Sequence, residues 1–530
     1  MQIPPRANPV GRPGRRQAST GGFREHVYVA IPLCIVLIAF CWMVTDGDFA
    51  LFDAENFGQF YDGQAASLLA GHWDVPLPAI SPEEYLHRGK FYGYFGFVPA
   101  LPRMALNAFW PTMAGSWSRT SLLCGCAVTL CCCYALLLRA RRWLGVVGPL
   151  ARREKIAYGF FLILAGLGST TIYLGSRAFI YHEAIMWAVA WALAAFDQLL
   201  GYLMDGRLVR LAAACLLTFL CFFCRISTGC GPLFSLLLIC LNIVAWHVPD
   251  RWTGILPPAK IFRGLTRWRT PPPLIHAGFA GMTTLAVAVA FVAVNHAKFG
   301  TFFDVSPMRE YAMMAAEPGR YERSGGKWLR PGNVPTVLLA YTSMDAIAFD
   351  RSFPWIRLQR ELVRLPGSHM DGAGGYSSVA TALPVFVILA FASGGVLSRR
   401  RRAMAESSDQ PPSNSASLSI VVLGSIAGLA PVLAFCAVDN RYLHEFIPLL
   451  ILLSAFGVRA LFTPRPTTTL KRLIPFLLIA LGLLQIYVNC SFALVYQRSE
   501  VFGVPPQPRA QMLSWQRRID GSLKSLFHLR

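Results

Sequence analysis

The sequence predicts an all-α polytopic membrane protein with about 11 transmembrane helices (range roughly 10–13) and two long extracytoplasmic loops. Three observations carry this. Of 530 residues, 54% are hydrophobic and only 15% charged, whereas soluble domains are about a quarter charged. Apolar runs long enough to cross about 30 Å of hydrocarbon recur along the chain. Basic residues gather in alternate connecting segments, as in "RARRWLGVVGPLARREK", "KIFRGLTRWR" and "SRRRR", which is the positive-inside pattern and sets the N-terminus in the cytoplasm.

The apolar runs fall near 26–44, 118–138, 156–174, 184–201, 211–224, 229–247, 274–294, 378–397, 418–438, 446–462 and 473–495. A basic cytoplasmic N-terminus, 1–25, precedes the first. That run has the basic flank of a signal peptide but no small-x-small cleavage site, so it is read as a retained helix. Residues 26–294 form a seven-helix module that includes the outer loop 45–117. A second long outer loop covers 295–377, the last helices 378–495, and a tail 496–530. The stretch "AESSDQPPSNSAS", 405–417, is too polar and too rich in Pro and Ser to bury a core.

Composition also excludes. A net charge of +21 would suggest nucleic acid in a soluble chain, but here the excess follows the cytoplasmic segments, so it reads as topology and contact with anionic lipid. All fourteen cysteines lie within or beside the apolar runs, which leaves neither a disulfide framework nor zinc-ligand spacing. Polar and aromatic residues concentrate in the outer segments, and function is expected there.

The first outer loop opens with "DGDFALFDAENFGQFYDGQ". Residues 54–70 read as a helix, because Phe57, Phe60, Tyr61, Gln64, Ala65, Leu68 and Leu69 follow i, i+3, i+4 spacing. Asp53 stands at the N-cap position and Gly71 at the end. Glu55, Gln59 and Asp62 share the polar side, so the helix is expected to lie flat in the interface. Asp46 and Asp48, beside Gly47, read as a turn.

A carboxylate at the lipid surface is suited to take a proton from an acceptor hydroxyl. Asp53, Glu55 and Asp62 are the candidate catalytic bases, and an N-cap role for Asp53 or a helix-dipole role for Glu55 competes with this. Outer cations beside a membrane boundary suit a phosphate. Lys90 in "RGKFYGYFG", Arg225 in "CRISTGCGP" and Arg441 in "DNRYLHEF" are the candidate donor-phosphate ligands, against headgroup snorkelling. His182 and Glu183, in "YHEAIMW", are candidates for an acceptor or a divalent metal, Mg or Mn, against a simple hydrogen-bonded pair. The second loop reads equally as a small folded cap or as a solvated loop.

These features together resemble the GT-C superfamily of membrane glycosyltransferases, which includes protein O-mannosyltransferases and lipid A aminoarabinose transferases. The resemblance rests on the seven-span module with long loops after spans 1 and 7, on "FDAENFG" and "ASLLAGHWDVP", and on "GKFYGYFGFVPALPRM" leading into span 2. It covers roughly residues 26–300. Many members have adjacent Asp-Glu after span 1, whereas Ala54 separates Asp53 from Glu55 here, and the choice of base stays open among three acids. The resemblance implies inverting transfer of a sugar from a polyprenyl-phosphate donor to a lipid, glycan or protein acceptor. It further implies a bacterial inner-membrane location, with the site on the periplasmic face and Lys90 on the phosphate. A transporter or lipid flippase, or a polysaccharide ligase or polymerase, is the alternative. Ionisable residues at span ends rather than mid-bilayer argue against transport.

Overall fold

With no water in the bilayer core, an apolar run must satisfy its backbone internally, and helix is the solution open to it. The computed structural model describes residues 22–250, 257–266, 268, 270–302, 307–406, 418–462, 469–500 and 503–526. Most of the basic N-terminus and residues 407–417 of the polar linker lie outside the described residues.

Each apolar run is helical. In order they are α1 (Gly22–Val44), then two short outer helices α2 (Phe60–Leu69) and α3 (Ala100–Phe109), α4 (Ser118–Trp143), α5 (Arg152–Leu167), α6 (Thr170–Leu174), α7 (Ile180–Asp205), α8 (Leu208–Cys224), α9 (Ile226–His247) and α10 (Leu274–Phe299). After the second loop come α11 (Val334–Thr342), α12 (Pro384–Glu406), α13 (Ser419–Gly428), α14 (Asn440–Leu443), α15 (Ile447–Phe462), α16 (Thr469–Val495) and α17 (Pro506–Leu526). Among the described residues eight helical stretches are long and apolar enough to cross a membrane. Three more, Leu208–Cys224, Pro384–Ser398 and Ser419–Leu433, are apolar but shorter. For those three, a count of eleven rests on segments at or below the usual spanning length.

Helix α7 is buried along nearly its whole length, and α4, α8, α9 and α15 pack around it. In contrast α1, α10 and α16 leave most of their apolar surface outside, as helices that face lipid do. Small residues permit close approach. A Cβ on Gly457 of α15 would lie 1.8 Å from the carbonyl oxygen of Leu389 on α12, so these two helices touch backbone to backbone. All fourteen cysteines are unpaired.

Ion pairs fasten one end of the bundle. Arg139 of α4 donates to both oxygens of Asp197 on α7, at 2.9 and 2.8 Å. Glu154 on α5 meets Arg141 of α4 at 3.4 Å and Arg459 of α15 at 2.6 Å.

The other end carries a folded cap. In the first loop β1 (Tyr85–His87) and β2 (Lys90–Tyr92) form an antiparallel hairpin. The second loop joins it: Tyr311 bridges to Tyr85 and the two rings stack at 5.0 Å. The second loop contributes β3 (Ala348–Phe349), which pairs with β4 (Ile356–Arg357), and β5 (Gly372–Ala373), which runs parallel to β6 (Ala437–Val438) just before α14. The second loop is thus the folded cap, not the solvated alternative. The tail also lies at this end, since Arg498 Nη2 donates to the Asp46 carbonyl at 3.1 Å and Gln497 to the Met43 carbonyl.

Breaking a buried pair strands a charge, which costs about 3–5 kcal/mol. Asp197→Ala is therefore expected to lower the thermal unfolding midpoint of the detergent-purified protein sharply, and Arg139→Leu with Asp197→Leu to recover most of it. A single variant as stable as wild type would show that the pair does not fasten α4 to α7.

Candidate functional site

The acidic stretch surrounds a cation. Helix α1 ends where Thr45 Oγ1 donates to the Cys41 carbonyl at 2.7 Å, and the chain turns through Asp46 and Gly47, both at positive φ. Arg119, in the first turn of α4, reaches into this turn. Its Nη2 is 2.8 Å from Glu55 Oε1 and 3.5 Å from Asp46; its Nη1 is 2.8 Å from the Ala50 carbonyl, 3.6 Å from Asp53 and 3.9 Å from Asp48. Arg177 completes the knot, with Nη2 at 3.1 Å from Glu55 Oε2. Four of the five acids thus share one guanidinium. Burial, and then the charge of Glu55, push the Asp46 carboxyl above its ordinary range; Arg177, Arg119 and Arg498 oppose this without cancelling it.

This corrects two expectations. The helix starts at Phe60, not Ala54, and Gln59 rather than Asp53 holds the N-cap position, without a capping side chain. Residues 56–59 instead form turns, with Phe57 at φ 60° and the Gly58 amide on the Glu55 carbonyl at 2.9 Å. The reason is electrostatic: Glu55, buried between two guanidinium groups, fixes the chain where a helix would point it elsewhere. Nor does α2 keep its polar side in water, for Asp62, Gln64 and Ser67 are buried along with Phe60, Tyr61 and Ala65. It packs on α3 inside the cap. Gly71 lies just past its end at φ 82°, as expected.

Asp62 belongs to a second cluster. It accepts from Asn107 at 2.8 Å, and Arg103 lies 4.0 Å away. The same Arg103 donates to Glu183 at 2.7 Å, and Ser121 donates to that oxygen at 2.5 Å. Beside Glu183, His182 donates from Nδ1 to the Arg177 carbonyl at 2.7 Å. Rings connect this cluster to the next region: His182 lies 5.8 Å from Tyr181, and the Arg441 guanidinium stands 4.2 Å over Tyr181.

That region is a cavity of about 320 Å³. Its lining combines apolar side chains, among them Phe222, Phe223, Phe291, Val294 and Val432, with the charged Glu83, Arg225, Lys298, Arg320, Asp371 and Arg441. Gly96 is required in its wall, since a Cβ there would lie 1.9 Å from the Phe223 carbonyl oxygen. Arg225 donates to Glu445 at 2.5 Å and faces the Tyr442 ring; Arg441 is 3.7 Å from Asp439. Arg320 and Asp371 form a two-pronged pair at 2.6–3.1 Å. Lys298, at the end of α10 and 4% exposed, differs from these. Its Nζ donates to the carbonyls of Gly93 and Phe95 at 3.1 and 3.2 Å, and among the described residues no carboxylate lies within 4 Å.

Of the residues singled out from sequence, Arg225 and Arg441 line this cavity, and Asp53, Glu55, Asp62, His182 and Glu183 do not. Asp53 has a side chain 61% exposed. Lys90 sits on the exposed side of the hairpin, 54% exposed, with Nζ on Asp74 at 3.1 Å. Sequence reading missed Arg103, Arg119, Arg177, Lys298 and Glu83. Charges at span ends were the available signal for Arg119, Arg177 and Lys298, but each looked like an ordinary boundary residue, and Arg103 lay inside the first loop. Glu83 lay in a loop read only as proline-punctuated. No group of three or more His, Cys, Asp or Glu among the described residues is gathered to hold a metal ion.

No family model and no curated protein matches the chain. Among solved structures it is similar to an oligosaccharyltransferase, AglB from Archaeoglobus fulgidus, in complex with an inhibitory peptide and a dolichol-phosphate. The TM-score is 0.47 and the identity 13%, over 96% of this chain and 60% of that one. It is also similar to ArnT from Cupriavidus metallidurans bound to undecaprenyl phosphate, with TM-score 0.41 and 12% identity over 92% of this chain and 69% of that one. The chain thus spans about 60% of the length of the oligosaccharyltransferase.

Two variants test the acidic knot. An acid held above its ordinary value stabilises the fold in its protonated form, and that contribution is lost as pH rises through the folded value. Asp46→Asn is therefore expected to unfold at a higher temperature than wild type near neutral pH, with the gap closing on acidification. Arg119→Ala removes the cation that four carboxylates share, leaving Arg177 on Glu55, and is expected to make residues 46–58 sensitive to limited proteolysis. A wild-type cleavage pattern would contradict that.

Proposed function

We propose that this chain is a membrane glycosyltransferase that moves a sugar from a polyprenyl-phosphate donor to an acceptor on the extracytoplasmic face, with inversion. The observation that carries this reading is Lys298. A buried ammonium without a counter-charge is costly, and Lys298 has three donors of which two meet carbonyls. It lines a cavity whose wall holds both apolar and charged side chains. An amphiphilic anion supplies both halves: a chain against Phe222, Phe291 and Val294, and a phosphate at Lys298, Arg225 and Arg441.

In this reading the acceptor oxygen attacks the anomeric carbon and the bond from that carbon to the phosphate oxygen breaks. Its electron pair leaves with the phosphate, whose growing charge the three cations stabilise. The base is a carboxylate of the first outer loop. Of the acids singled out from sequence, Glu55 and Asp62 are assigned to holding Arg177 and Arg103 in position, and Asp53 to the rim around Arg119. His182, buried outside the cavity, is assigned to holding Tyr181 toward Arg441 rather than to the acceptor. The basic ends of α4, α8 and α15 lie opposite the cap, so the positive-inside rule puts the cavity mouth outside. In a bacterium that membrane is the inner one.

Binding is the direct test. Wild type in nanodiscs is expected to bind undecaprenyl phosphate and to resist displacement by excess phosphatidylglycerol. Lys298→Met and Arg441→Ala are each expected to weaken binding about 10- to 100-fold, the worth of a charged hydrogen bond. Wild type that ignores the lipid phosphate, or exchanges it freely for phosphatidylglycerol, would sink the reading.

A further inference from the structure

The acids at the outer end differ in what they have left to offer. Those around Arg119 are held by it, and Glu183 is held by Arg103 and Ser121. In the cavity, Asp371 is taken by Arg320 through two nitrogens, and Arg323 stands 3.8 Å away. Glu83 is the exception. It is buried and lines the cavity, and its Oε2 accepts from Tyr311 Oη at 2.6 Å. Among the described residues Oε1 has no donor and no cation lies within 4 Å of the carboxylate.

Resting on the glycosyltransferase reading, we propose that Glu83 is the proton acceptor of this cavity, taking the acceptor's hydroxyl proton on Oε1 while Tyr311 holds Oε2. The proton moves from the acceptor oxygen to Glu83, that oxygen bonds the anomeric carbon, and the departing phosphate keeps the electron pair of the broken bond. Nothing is oxidised or reduced. The product state therefore pairs a protonated Glu83 with a charged lipid phosphate.

The surroundings favour this coupling. Burial raises the affinity of Glu83 for a proton; the Tyr311 hydrogen bond, and then Arg441 and Arg320, lower it, and Glu84 raises it again. Tyr94 and Tyr181 also face it. On balance the carboxyl is held above its ordinary range, and a phosphate settling at Lys298 and Arg441 adds negative charge nearby and further favours the protonated form. Filling of the cavity by the leaving group thus raises the proton affinity of Glu83.

Undecaprenyl phosphate is that leaving group, so its binding reports the product state without knowledge of the sugar. Calorimetry of the full chain in nanodiscs, in two buffers of unequal ionisation enthalpy, counts the protons exchanged. Wild type is expected to take up about one proton more per lipid than Glu83→Gln at mildly alkaline pH. Tyr311→Phe keeps the carboxylate but removes its donor, and is expected to move the pH range of uptake upward by roughly one unit or less. Binding with equal proton counts in wild type and Glu83→Gln, across roughly pH 6 to 9, would overturn the role of Glu83 alone. If Glu83→Gln does not fold, an unchanged pH range in Tyr311→Phe overturns it instead. Absence of binding in wild type would overturn the lipid-phosphate reading itself, and this proposal with it.

Discussion

The contact between Glu55 and its two arginines organises the capped end of the molecule. Arg119 belongs to the first turn of α4 and Arg177 to the connection before α7, and Glu55 accepts from both at about 3 Å. A carboxylate buried in this way is stable only while both guanidinium groups stay in reach. The contact therefore fixes where α1 ends relative to α4 and α7. The Arg177 carbonyl orients His182, and the rings of Tyr181 and His182 carry that order to Arg441 and the cavity. The acids that crowd this loop are chiefly partners for arginine, and their number follows from the charge they enclose.

Charge in the cavity is less fully matched. Arg225 has Glu445, and Arg320 has Asp371. Lys298 has carbonyl dipoles and the Trp73 ring, and Glu83 has a hydroxyl. Among the described residues neither has an ionic partner within 4 Å, and both line the cavity.

Much of the helical framework was legible in the sequence, because the pattern of apolar runs is set by hydrocarbon thickness and backbone satisfaction, both local properties. The basic stretches in alternate loops were equally plain. The site was only partly legible. Arg225 and Arg441 could be found because a cation in a short outer turn has few other uses. The start of α2 could not be found, since the spacing of Phe57, Phe60 and Tyr61 is truly helical and only the distant Arg119 and Arg177 overrule it. Lys298 and Glu83 lie 215 residues apart in the chain, and nothing local to either shows that the second loop folds Tyr311 onto the first. Long-range pairing of polar groups is the part that periodicity does not encode.

The tail closes the molecule on its own beginning. Arg498 is fully buried between the rings of Trp42 on α1 and Trp515 on α17, with Gln511 at Nη1 and the Asp46 carbonyl at Nη2. Nearby, Arg177 also reaches the Gly503 carbonyl, at 3.4 Å. The ribosome makes Asp46 long before Trp515, and chains mature from the N-terminus as they are synthesised. The acidic turn must then wait, through the insertion of the helices between, for the contacts that finish its shell. Until Arg498 and Trp515 arrive the apolar helices between can sit in the membrane with the first loop still unclasped, so assembly of the capped end is among the late steps of folding.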